Sequence, residues 1–305
     1  MTNCLTLAVH LAQAGASVLP VNELELTDNT WAVASSYFML IVLGFAIDLG
    51  LIVHFARKPV RWPEHVARLQ ARPWSVQDGS LLLLVLMTLY FASTALQPLI
   101  NKWCGGGTDG EATLRLIIQS ITFHMIGLAI VVLSLRRRHV TWRDAFGLEP
   151  RAVLKDIGTG AMLYVASLPF IVFYTVLYQA ILRGLGHEPE LQEVALVVAG
   201  ETSFWLRLYL MGLAVVLAPL FEEILFRGIG LPLVARKWGA APAVAIVSLF
   251  FAAIHFHLPS AMPLFVIAVA FSLAYIHSGS IVVPVVMHGL FNGVNLAMLM
   301  VLKGT

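Results

Sequence analysis

Glu222, Glu223 and Arg227 fall within six residues of one another, in the run Ala218-Pro-Leu-Phe-Glu-Glu-Ile-Leu-Phe-Arg-Gly228, inside an apolar stretch long enough to cross a bilayer. A charge at the middle of a membrane helix costs roughly 2.5–3.5 kcal/mol on insertion scales, so three together need an offsetting role. Glu223 and Arg227 are four apart and share a helix face, where they can pair. Glu222 is rotated by about 100° and is left for other work. Two more apolar stretches carry matching polar groups. Phe251-Ala-Ala-Ile-His255 sets one imidazole a turn after an aromatic ring. His288-Gly-Leu-Phe-Asn292 sets an imidazole and a carboxamide on one face, which Asn295 continues. A carboxylate and an imidazole converging on one water make a general base, with Glu222 taking the proton and His255 orienting or sharing it. His288 and Asn292 can donate to the oxyanion that forms when water attacks a peptide carbonyl, each such donor being worth about 2.7–4 kcal/mol. Taken singly, each polar group also fits plain hydrogen-bonding between membrane helices.

These groups need membrane helices to position them. Of 305 residues, 59% are hydrophobic and 12% charged, against about 25% charged in soluble domains. The chain is therefore read as all-α and polytopic. Roughly 20 apolar residues span a bilayer core, which predicts about eight spans near 31–55, 79–100, 113–135, 157–182, 204–229, 241–256, 260–277 and 280–302. The sixth and seventh are short and are expected inside the bundle. The organisation is then an N-terminal extramembrane or interfacial segment over 1–30, N-terminal transmembrane helices over 31–182, and a transmembrane core over 204–302 that carries the polar residues. Pro219 is expected to kink or loosen its helix beside the carboxylates. Gly228 and Gly289 are expected to allow close helix approach.

Lys and Arg gather in two connections, 56–78 and 136–156, while other connections lean acidic at Glu188, Glu190, Glu193 and Glu201. The positive-inside rule puts both basic loops in the cytoplasm, with Arg236 and Lys237 on the same side and both termini outward. A net charge of +2 says little about partners; those expected are the lipid bilayer and a membrane-associated protein or peptide, and no nucleic acid. Cys4 and Cys104 are too few for a disulfide framework. Asp48, alone in the first span, is given a structural role. His257 and His277 sit at span ends and His54 and His124 stand alone, so none is assigned to catalysis. Gly105-Gly106-Gly107 has no phosphate-loop context.

The three motifs together, Glu-Glu-x-x-x-Arg, then Phe-x-x-x-His, then His-x-x-x-Asn, resemble the CAAX proteases and bacteriocin-processing enzymes of the CPBP (ABI) family, which include the type II CAAX prenyl endopeptidases. Phe226-Arg227-Gly228 and the Ser280-Ile-Val-Val-Pro284 lead-in also fit, and the likeness covers about 204–302. It implies an intramembrane endopeptidase whose site is recessed in the bilayer and reached from the cytoplasm. It also implies an essential Glu222 acting with His255, an oxyanion site at His288 and Asn292, and support from Glu223 and Arg227. The substrate it implies is a membrane-associated protein or peptide: prenylated CAAX proteins are the eukaryotic case, and peptides, bacteriocins or regulatory membrane proteins stay open. Whether this is a metallo- or a glutamate-type hydrolase stays open. No His-Glu-x-x-His pair is present, so no metal is assigned, yet Glu222, His255 and His288 are the residues that would hold zinc. Two other classes remain open at this level: a non-catalytic peptide-binding scaffold or immunity protein, and a proton-coupled transporter.

Overall fold

Long apolar runs without interior charge make helices here, because a backbone in lipid must satisfy its own hydrogen bonds. The computed structural model describes residues 28–104, 114, 117, 118, 120–187 and 192–303, and among these it is all helix and loop, with no strand. In chain order the helices are α1 (Asp28–Arg57), α2 (Trp62–Gln70), α3 (Val76–Cys104), α4 (Ile126–Arg137), α5 (Trp142–Phe146) and α6 (Val153–Gly184). They continue with α7 (Glu193–Gly200), the continuous run α8 (Phe204–Trp238), α9 (Ala240–Ala253), α10 (Ala261–Ser278) and α11 (Val282–Lys303). A π-helical turn, Ser120–Met125, leads into α4.

Among the described residues, six helices are long and apolar enough to cross a membrane: those in α1, α3, α6 and α8, Leu258–Ser278 and Val282–Val301. The fold is thus a multi-pass helical bundle, but six long spans rather than about eight are established. The sixth expected span is α9, whose 14 residues give only about 21 Å of helix. The third expected span is described continuously only from Ser120 onward. Residues 1–27, which hold Cys4 and most of the expected N-terminal segment, lie outside the described residues, as do Gly105–Gly107, Glu188 and Glu190.

One end of the bundle is tied together by arginines from the basic connections. Arg68 donates to the carbonyl oxygens of Ile276 and His277 where α10 ends. Arg72 donates to Arg143, Asp144 and Gly279. Arg138 pairs with Asp78 at 2.6 Å, and Arg236 at the end of α8 donates to Gln70, Arg72 and Trp74. Gly279 and Gly147 close α10 and α5 at φ of 73° and 70°, in the left-handed region that favours glycine. The connections 56–78 and 136–156 therefore share one face with the end of α8 and the start of α11.

Two prolines mark close helix approaches. Pro169 in α6 has no N–H for the carbonyl of Val165, four residues back. There Gly44 of α1 lies so close that a Cβ would sit 2.5 Å from that oxygen. Beside Pro219 in α8, a Cβ on Gly289 of α11 would sit 2.7 Å from Val215 O. The helix around Pro219 is wound as π segments at Leu213–Leu217 and Ile224–Gly230, which is the expected loosening. Phe221, Phe251, Ala268 and Tyr275 form a buried core between α8, α9 and α10. Tyr37, Tyr164, Phe271 and Met287 form a second one, joining α1, α6, α10 and α11.

This packing separates two glycines of the same helix. A Cβ at Gly293 would meet Val215 Cγ1 at 3.5 Å, an ordinary contact, and alanine removes glycine's helix penalty of about 0.5–1 kcal/mol. Gly293→Ala is thus expected to leave the melting temperature in detergent unchanged or slightly raised. Gly289→Ala, which drives a methyl against backbone, is expected to lower it by several degrees, about the shift that a 1–2 kcal/mol loss gives.

Candidate active site

The loosened part of α8 carries both carboxylates, and their environments differ as the helical spacing predicts. Glu223 and Arg227 are both 0% exposed and pair at 2.7 Å. Every Arg227 nitrogen is engaged: Nη1 with Glu223, Nη2 with Ala268 O at 2.9 Å, and Nε with Ser272 Oγ at 3.4 Å. The guanidinium also lies between the rings of Phe251 and Phe271, 4.8 and 5.1 Å from their centroids. Both of those contacts are attractive to a cation. Glu223 Oε1 additionally accepts from His288 Nδ1 at 2.9 Å. One carboxylate oxygen thereby joins α8 to α11, and Arg227 joins α8 to α10.

Glu222 occupies different ground. Its side chain, 19% exposed, lines a cavity of about 330 Å³ together with His255, His288 and Asn292. Its Oε2 is buried with no hydrogen-bond partner among the described residues and lies 3.9 Å from His288 Nε2. His288 therefore sits between the two carboxylates, with its ring stacked on Phe271 at 5.1 Å.

His255 Nδ1 lies 2.7 Å from the carbonyl oxygen of Phe251. A carbonyl can only accept, so Nδ1 is the protonated nitrogen and Nε2 carries the lone pair. The Phe251 ring, 4.8 Å from the imidazole, holds it in place. After His255 the chain turns at Phe256, φ 48°, and the following Pro259 and Ser260 rim the cavity. Asn292 Nδ2 donates to Ala214 O at 2.8 Å. In the π register of Leu213–Leu217 the donor for that oxygen would be Pro219, which has none, so the carboxamide takes its place. An amide carries two N–H donors, and this bond uses one.

The cavity also holds residues that sequence reading left out. His124 lines it, edge-on to Phe221 at 5.6 Å; a lone histidine on an apolar stretch gives no signal of this. Gln179 of α6 and the short helix α7 line it too. α7 lies in the stretch read only as an acidic connection, being too short to register as a span. The remaining histidines lie elsewhere. His257 bonds Ser260 Oγ at 2.8 Å, and His277 stacks on His65 at the arginine-tied face. Asp48, in α1, is not in the cavity lining. No group of three or more His, Cys, Asp or Glu side chains converges to hold a metal ion among the described residues. Glu222, His255 and His288 as placed do not form a zinc centre.

Fold and site together describe an integral membrane protein with a carboxylate and histidines lining one cavity. Residues 203–294 match the family of type II CAAX prenyl endopeptidases, described as Rce1-like. The matched segment contains all three motifs, so the family resemblance drawn from them holds over this segment, and at family level it supports a CAAX-type membrane protease. No curated protein and no solved structure was found to match the chain.

Removing one partner from a buried ion pair strands the other and costs about 3–5 kcal/mol. Arg227→Met alone is expected to unfold the protein at markedly lower temperature in detergent. The double variant Glu223→Gln with Arg227→Met is expected to recover part of that loss. Additive losses in thermal unfolding would show that the pair is not coupled.

Proposed function

We propose that this protein is an intramembrane endopeptidase that hydrolyses a peptide bond of a membrane-associated substrate of the prenylated CAAX type, by a glutamate-type mechanism. The observation that carries the reading is the contrast between adjacent carboxylates. Glu223 is 0% exposed with its Oε1 held by Arg227 and His288, while Glu222 is 19% exposed and lines the cavity with His255. A carboxylate that reaches open volume without an arginine partner is suited to hold a water.

In this mechanism Glu222 accepts a proton from water, and His255, its tautomer set by the Phe251 carbonyl, accepts the second O–H through Nε2 and fixes the orientation. The water oxygen adds to the substrate carbonyl carbon. The negative charge that develops on the carbonyl oxygen is met by the second N–H of Asn292, and by His288 when both its ring nitrogens carry protons, Nδ1–H on Glu223 and Nε2–H toward the oxyanion. Glu222 then returns its proton to the amide nitrogen, the C–N bond breaks, and the two products are a carboxylic acid and an amine. Low polarity around the cavity strengthens each of these interactions relative to water.

The test uses purified protein in detergent and an internally quenched, farnesylated CAAX peptide. Glu222→Gln removes the base with little change in shape, so turnover is expected to fall by about 10²–10⁴-fold with the melting temperature retained. Asn292→Ala is expected to lower kcat by about 10²–10³-fold, more than it raises KM. Unchanged hydrolysis in both Glu222→Gln and His255→Ala would overturn the mechanism.

A further inference from the structure

A CAAX sequence is a chain terminus, so the segment released by the proposed reaction ends in a free carboxylate. A carboxylate taken from water into a cavity loses its hydration and needs a cation or several donors in return. No Lys or Arg is among the described residues lining the cavity. The side chains there that can carry positive charge are His124, His255 and His288. Two of these are committed. His255 donates from Nδ1 to Phe251 O, which leaves its Nε2 lone pair for the attacking water. His288 lies between Glu223 Oε1 at 2.9 Å and Glu222 Oε2 at 3.9 Å, so any charge on it is already countered. His124 is left.

The surroundings of His124 suit it to that task. It belongs to the π-helical turn Ser120–Met125, outside the helices that carry the three motifs and outside the matched segment 203–294. Its ring meets Phe221, the residue before Glu222, edge-on at 5.6 Å. Its Nδ1 is buried with no hydrogen-bond partner among the described residues, which leaves Nε2 for an occupant of the cavity. Glu222 is the charged side chain that acts on this imidazole. Without the imidazole, a carboxylate arriving there would meet only that like charge. Ser120, on the same turn, also lines the cavity, and its oxygen accepts from Tyr209 OH at 3.3 Å. Its own O–H is then left to donate. One turn thus offers two donors to the two oxygens of one carboxylate. A CAAX sequence puts three residues beyond the prenylated Cys, reaching about 10 Å when extended. A bond cut beside that Cys and the chain end must therefore share one cavity, as Glu222 and His124 do.

We propose that His124, with Ser120 beside it, is the subsite that receives the C-terminal carboxylate of the substrate, and so restricts hydrolysis to bonds close to a free chain end. The proposal rests on the endopeptidase reading and adds to it a specificity-determining residue from outside the three motifs. The imidazole touches the segment that is released, not the bond that breaks, and it exchanges no proton in the reaction.

The test uses the purified full-length protein in detergent and two internally quenched, farnesylated CAAX peptides. They differ only at the end, one being a free acid and the other a C-terminal amide. The wild type is expected to show a kcat/KM about tenfold or more higher for the acid, as a hydrogen bond to a charged group gives. The difference is expected in KM rather than in kcat. In His124→Phe, which keeps a ring against Phe221, the acid-to-amide ratio is expected to fall to about twofold or less. His124→Gln, which retains an N–H donor, is expected to keep part of the preference, and Ser120→Ala to lose part of it. Equal kcat/KM for the two peptides in the wild type, or an undiminished ratio in His124→Phe, overturns the subsite. Where the melting temperature shows His124→Phe to be unfolded, undiminished ratios in both His124→Gln and Ser120→Ala overturn it. A second arm measures binding of the two peptides, carrying the fluorophore alone, to the Glu222→Gln form by anisotropy, with and without His124→Phe. Tighter binding of the acid that His124→Phe abolishes, from a wild type that hydrolyses neither peptide, would sink the peptidase reading and leave the subsite standing. Hydrolysis of both peptides without preference would sink the subsite and leave the peptidase reading.

Discussion

A guanidinium and a carboxylate buried at 0% exposure in a membrane protein can persist only if almost every donor and acceptor they carry is met. Arg227 meets that requirement with groups on two helices, and Glu223 meets it at Oε1 with groups on two, its Oε2 having no partner among the described residues. Their partners are therefore fixed in space relative to one another: Ala268 and Ser272 on α10, His288 on α11, and α8 itself. Desolvation makes the arrangement unforgiving, because a small slide of any helix would strand a charge. The same requirement that holds the three helices holds the imidazole of His288 beside Glu222. Support and chemistry are thus adjacent residues on one helix, separated by a rotation of about 100°.

Proline supplies the complementary constraint. Pro219 cannot donate, and the turn before it is wound wider than an α-helix, so the carbonyl of Ala214 is open to another group. Helix α11 meets it with the amide of Asn292 and brings Gly289 against the backbone at Val215. The defect in one helix becomes the seat of another. Pro169 and Gly44 repeat the device between α6 and α1, where no polar side chain is involved. This comparison separates the two functions: the glycine permits the approach, and the carboxamide adds direction to it.

How much of this was legible in the sequence follows from the range of each interaction. Glu223 with Arg227, Phe251 with His255, and His288 with Asn292 are one helical turn apart, so spacing alone placed each pair on a common face. The apolar runs were equally readable, because lipid leaves a backbone few alternatives. The bonds that assemble the cavity connect residues far apart in the chain, such as His288 with Glu223 and Asn292 with Ala214. No local pattern encodes those. His124 and Gln179 were missed for the same reason: each is a solitary polar residue whose significance depends on which helix lies opposite.

The tightness of one end of the bundle is a further consequence of where the arginines are. Carbonyls at the end of a helix need donors, and here Arg68 supplies one to the end of α10, Gln70 to the end of α8 and Arg236 to the end of α2. That sealing makes the arginine-tied face well bonded and leaves the looser end of the bundle, with its short α7 and the turn at Phe256, to enclose the cavity. The basic residues that the positive-inside rule would use to orient the chain are thus among those that bond the helix ends at this face.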